Sequence, residues 1–204
     1  MFWVKVGIII VGSLYALLLP YVIYRAVESV KIDLNSYTLS FLSNKRIYNK
    51  TTAKGYTRLL LVIALVHYIF FSLLTRYYFL GEEERYLNYV NYSSLFLTLL
   101  GCVRHNILPY SFKTLRAAIL RIGHNILAVI VFLVLPALII SFQTLIVDEH
   151  KFIGIGGFII IGAVLAWLIL SIVKRGINGV TELVFITGIS IWSIFVTVIT
   201  VFFT

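Results

Sequence analysis

The feature that most constrains this chain is its succession of apolar runs, each long enough to cross a lipid bilayer. A helix needs about 20 mostly apolar residues to traverse the ~30 Å hydrocarbon core. Six such runs occur, roughly at 3–24, 57–80, 88–103, 115–141, 152–173 and 179–203, the third being the shortest and the fourth long enough to tilt. They predict an all-α, polytopic integral membrane protein: about six transmembrane helices in a single membrane domain over residues 1–204. Hydrophobic residues make up 61% of the chain, against ~45–50% in a soluble domain. The charged residues, 12% of the total, gather in short clusters between the runs, which excludes a disordered chain, a coiled coil and a nucleic-acid-binding partner role. The first run is too long for a signal-peptide core and is expected to stay as a mature helix.

The longest connection, Val30 to Tyr56, is rich in Lys, Asn, Ser, Thr and Tyr. Within it Leu34, Tyr37, Phe41, Leu42 and Tyr48 recur at roughly helical spacing, as an interfacial helix lying on the membrane requires; an irregular surface loop is the alternative. In the fifth span, Gly154, Gly156, Gly157 and Gly162 offer a small-residue face for close helix packing.

Lys and Arg accumulate in short loops on the side from which a membrane protein inserts. Of the 17 here, Lys5, Arg76, Arg85 and Lys151 fall on the side of both termini. The other thirteen fall opposite: Arg25, Lys31, Lys45, Arg46, Lys50, Lys54, Arg58, Arg104, Lys113, Arg116, Arg121, Lys174 and Arg175. The net charge of +9 is thus a statement about orientation, with both termini expected outside and the long loop in the cytoplasm, matrix or stroma.

Charged groups inside a bilayer are costly and so become functional candidates. The fourth span opens with Arg116, Arg121, His124 and Asn125 before turning wholly apolar. Arg121 shares a helix face with His124 three residues on and with Asn125 four residues on. A guanidinium there stays charged and can attract or discharge a passing carboxylate; the alternative is that Arg116 and Arg121 snorkel to the headgroups. Glu182, the acid nearest the last apolar run, is a candidate proton-handling carboxylate if desolvated. Alternatively it sits in a first helical turn, favoured by the helix dipole, with Thr181 as cap. His67, midway along the second span, suits interior packing or a hydrogen bond to a carbonyl.

Catalytic and cofactor signatures are sparse. The four histidines do not form a pair at matching depth, as haem ligation needs. The single cysteine, Cys102, permits neither an intrachain disulfide nor a thiolate cluster. Gly-x-Ser-x-Gly, His-Glu-x-x-His and glycine-rich phosphate loops are missing from the sequence, so neither a catalytic site nor a cofactor or metal is expected.

The segment Leu120-Arg121-Ile122-Gly123-His124-Asn125-Ile126-Leu127-Ala128 resembles the arginine helix of the a-subunit of F-type ATP synthases, and Thr52-Ala53-Lys54-Gly55 is similar to a Lys-Gly pair that opens a helix in that family. The family's Gly-His after the Ala is Val129-Ile130 here. The resemblance implies proton translocation beside a rotor ring of carboxylate-bearing proteolipids, within a multi-subunit complex of a mitochondrial inner membrane or a prokaryotic plasma membrane. Arg121 would separate two half-channels, with Asn125 and His124 beside it and Glu182 as a relay. A second resemblance, carried by Glu84-Arg85, Ser94-Leu95-Phe96, Gly101 and Pro109, is to the core subunit of the twin-arginine protein translocase, in which Glu84 would read the signal. That family places its termini inside, opposite to the charge count. The third reading is a non-conducting structural subunit whose partners are the lipid bilayer and other membrane subunits.

The orientation has a direct test. In a Cys102→Ser background, a single cysteine placed between Asn44 and Thr51 is expected to stay unlabelled by an impermeant maleimide added from outside; prompt labelling reverses the assignment.

Overall fold

Each apolar run becomes a helix. The computed structural model describes residues 2–43, 50–78, 83–103 and 115–204. They form α1 (Phe2–Val30), a 3-10 turn (Leu39–Ser43), α2 (Lys50–Tyr78), α3 (Glu83–Cys102), α4 (Leu115–Ile146), α5 (Lys151–Arg175) and α6 (Gly179–Phe202). Among the described residues there is no strand. All of these helices except α3 contain a segment long and apolar enough to cross a membrane. At 20 residues α3 is long enough, about 30 Å at 1.5 Å per residue, but it is more polar.

Contacts fix the direction of each helix. The α2 residue His67 meets Ser93 of α3, while Gly101 near the end of α3 faces Leu60 near the start of α2. Across the next boundary, the Tyr86 hydroxyl donates to the Leu138 carbonyl at 3.3 Å, and His124 reaches the Val103 carbonyl. Thus α3 lies antiparallel to both neighbours over its whole length. The same alternation continues, and α1 closes on α6: a Cβ on Gly12 would lie 2.2 Å from the Thr197 hydroxyl and 2.8 Å from the Phe70 ring. Lys5 lies over the Tyr77 ring, and the Tyr77 hydroxyl meets Thr204, so both chain ends occupy one end of the bundle. An even number of passes requires that.

Aromatic side chains fill the middle. Phe71 stacks on Trp192 with centroids 5.6 Å apart, and Phe142 meets the same indole edge-on at 6.0 Å. Such contacts are worth about 0.5–1.5 kcal/mol each beyond burial. With the Gln143 amide oxygen turned toward α6, it accepts from the Trp192 indole N–H at 2.8 Å and its nitrogen donates to the Ile153 carbonyl at 3.1 Å. One amide therefore ties α4, α5 and α6 where no water is available to substitute.

The small-residue face of α5 is narrower than expected. A Cβ on Gly154 would sit 2.5 Å from the Val147 Cα, on Gly156 2.4 Å from the Phe195 ring, and on Gly157 2.2 Å from the Gln143 amide. Gly162, by contrast, has nothing within 4 Å and takes no part in the packing.

Over residues 31–43 the long connection follows the loop alternative rather than an interfacial α-helix. α1 runs on to Val30 and ends at Lys31, which takes φ +53°. The Asp33 carboxylate then accepts from the Ser36 hydroxyl and the Asn35 amide, which hold it below the usual carboxylate range. The helical spacing of Leu34 to Leu42 is satisfied instead by a chain that folds back over the bundle end and buries Leu39 and Leu42. The Tyr37 and Leu34 carbonyls accept from the Gly179 and Val180 amides, so this loop closes the open end of α6. Tyr48, Glu82 and Pro109 lie outside the described residues.

The contrast within α5 is testable. Gly154→Ala is expected to destabilise by about 1–3 kcal/mol, because backbone stands where the methyl must go. Gly162→Ala should be neutral or stabilise by up to about 1 kcal/mol through helix propensity. Size-exclusion survival after heating in one detergent reads both.

Candidate functional site: a buried carboxylate at the basic end

The start of α6 is fixed by its cap. Asn178 accepts from the Thr181 amide at 3.1 Å, and its own amide donates to the Thr181 hydroxyl at 2.9 Å. Thr181 was expected to be the cap; it is the reciprocal partner of Asn178, which holds that place because its side chain reaches the third helical amide. The register so set turns Glu182 inward. It is 8% exposed, and its carboxylate accepts from the Leu39 amide in the 3-10 turn rather than from its own helix.

Glu182 lines a cavity of about 90 Å³ at the junction of α1, α2, α3, α4 and α6. Its polar lining is Glu182, Ser40 and Tyr56; the wall is otherwise apolar, with Leu19, Leu60, Leu97, Val131 and Phe185 facing it from the five helices. Tyr56 is hydrogen-bonded to Ser40 and close enough to Glu182 to interact electrostatically. Among the described residues no Lys or Arg lines the space. The volume admits several water molecules.

The polar opening of α4 divides. His124, 2% exposed, donates from Nδ1 to the Val103 carbonyl at 2.6 Å and so fastens the start of α4 to the end of α3. Asn125 is exposed on the outer surface of the bundle. Arg121 lies in α4, one turn before His124, and its side chain and that of Arg116 lie outside the described residues. The cavity touches α4 at Ala128, one turn beyond His124, so it brings Glu182 to the neighbourhood of this helix but not to Asn125. Glu84 is exposed in the first turn of α3.

A second polar cluster lies deeper. The Tyr15 hydroxyl is 2.9 Å from His67 Nδ1, and His67 Nε2 is 2.8 Å from the Ser93 hydroxyl. Because Ser93 already donates to the Val90 carbonyl at 2.9 Å, one arrangement satisfies every group: Tyr15 O–H donates to Nδ1, and Nε2–H donates to Ser93. Hydroxyls thus replace the carbonyl partner expected for His67. The sequence signal was a polar residue within each of three different apolar runs, and picking Tyr15, His67 and Ser93 out from neighbours such as Ser13, Ser72 and Ser94 needed the helix order. Leu19 and Leu97, in the cavity wall, lie one turn from Tyr15 and Ser93, so the cavity ends just short of this cluster. Among the described residues, no group of three His, Cys, Asp or Glu side chains is arranged to hold a metal. Comparison with known protein families, curated proteins and solved structures gave no match to this chain.

The His67 cluster predicts a non-additive pair. His67→Phe keeps a ring but leaves the buried Tyr15 hydroxyl without its acceptor, a loss of about 1–3 kcal/mol. Adding Tyr15→Phe removes the orphan and should restore much of that loss, read as heat survival of the two variants in the same detergent. Strictly additive losses would show that the hydroxyl–imidazole bond contributes nothing.

Proposed function

We propose that this chain is the proton-handling membrane subunit of a larger complex, a highly divergent counterpart of the ATP synthase a-subunit. Glu182 is its proton-exchanging group and Arg121 a fixed positive charge near the start of α4. The observation that carries this reading is the setting of Glu182: a buried carboxylate on a cavity whose described lining holds two hydroxyl groups and no cation. A carboxylate without a cationic counter-ion is free to alternate between its charged and neutral forms, and adjacent hydroxyls and water can deliver the proton. Asn125, exposed on the same helix as Arg121, is available to a neighbouring subunit such as a proteolipid ring. The membrane in this reading is a mitochondrial inner or prokaryotic plasma membrane.

A second reading, a non-conducting structural subunit, is favoured by the aromatic packing of Phe71, Phe142 and Trp192, which fills the bundle centre.

Gentle extraction from native membranes, followed by mass spectrometry of co-migrating chains and proton-coupled turnover of the isolated complex, separates the two. The first reading expects small two-helix proteolipids in the complex, Arg121→Ala to abolish coupled turnover with assembly intact, and Glu182→Gln to slow it at least about a hundredfold, the scale of a lost acid–base group. Unchanged turnover in both variants of a correctly assembled complex leaves the structural reading.

A further inference from the structure

We infer that the groove between α5 and α6 at the basic end of the bundle is a binding site for one anionic phospholipid. This site is independent of the function proposed above. The groove has a volume of about 480 Å³ and combines two kinds of wall. At its mouth are Lys174 and Arg175, both exposed on the last turn of α5, with Ser171 one turn below. Deeper in, Trp167 and Leu170 of α5 face Val180 and Val184 of α6.

The dimensions match a lipid standing in a leaflet. Arg175 and Trp167 are eight residues apart, about 12 Å along the helix axis. That separation puts the cations at phosphate depth and the indole against the first part of the acyl chains, where Trp favours the interface. Trp167 is 67% exposed and Leu170 59%, so the apolar wall is open to a hydrocarbon chain.

Charge selects the headgroup. Neither cation has an acidic partner: the ion pair among the described residues is Arg25 with Glu28 on α1. Glu182, the acid of the adjoining turn of α6, faces the interior and accepts from Leu39. The amides of Gly179 and Val180 are already donated to the Tyr37 and Leu34 carbonyls, so the phosphate is held by the side chains of Lys174, Arg175 and Ser171. Gly176, with φ +71°, ends α5 so that only Gly176 to Asn178 separate the helices, which keeps the basic last turn of α5 beside the start of α6. Basic pockets between transmembrane helices are suited to phosphate headgroups for this reason.

The test uses the full chain in mixed micelles, with native mass spectrometry counting retained lipids. One phosphatidylglycerol is expected to remain bound in preference to phosphatidylcholine. The double variant Lys174→Gln/Arg175→Gln should lose roughly thirtyfold in that preference, the effect of two basic side chains near a membrane surface. Lys5→Gln/Lys151→Gln, at the other end, should retain it. Leu170→Trp fills the groove without changing charge and should also release the lipid, which separates a built site from diffuse attraction. Equal retention of both lipids, an unchanged preference in the Lys174/Arg175 double variant, or a protein subunit cross-linked into the groove in place of lipid would each overturn the assignment.

Discussion

Within hydrocarbon a polar group has no water to fall back on, so each buried donor and acceptor must find its partner inside the chain. The arrangement of the helices follows from how that demand is met. Gln143 joins α4 to α5 and α6, the Tyr15–His67–Ser93 line joins α1 to α2 and α3, and the Tyr78 hydroxyl meets Thr200 at 2.7 Å to join α2 to α6. Apolar packing between helices discriminates weakly in a membrane, because lipid tails are as apolar as the side chains they replace. These few hydrogen bonds, together with glycine approaches such as Gly12 on Thr197, single out one neighbour order and one depth for each helix.

Glu182 is where this economy meets a charge. An acid at this depth is costly, and the chain contributes a loop to accommodate it: the 3-10 turn brings the Leu39 amide to the carboxylate while Tyr37 and Leu34 engage the first amides of α6. The loop and the helix start therefore hold each other. Removing the carboxylate alone strands an amide, and moving the loop alone breaks three hydrogen bonds, so the two elements are expected to shift together or not at all.

The number and extent of the helices were legible because length and apolarity are additive properties of a segment. The helical runs overlap their expected ranges, and α1 and α2 extend past them only at the polar connection. Burial on a shared face was less legible. Spacing places Arg121 with both His124 and Asn125, yet the bundle buries one and exposes the other, since a face 100° wide still has two edges. The loop stayed open between two readings because the spacing of Leu34, Tyr37, Phe41 and Leu42 fits an amphipathic helix as well as a turn that buries Leu39 and Leu42, and only the adjoining end of α6 chooses between them. Gly162 and Gly154 look alike in sequence; they differ in what stands opposite.

The bundle is unequal along its axis. Its middle is filled by Phe71, Phe142 and Trp192; toward the basic end it opens into the cavity of Glu182 and carries the groove of Lys174 and Arg175. Trp192 lies ten residues beyond Glu182 on the same helix, about 15 Å deeper. In the proton-handling reading, a proton taken up at Glu182 meets this aromatic layer before the far end, which favours a sideways exit. Of the five helices around the cavity, α4 carries the exposed Asn125 one turn from the cavity residue Ala128, so on that reading its outer face is a candidate side for a partner subunit. On that reading the chain would supply one wall of a pathway and a partner subunit the other.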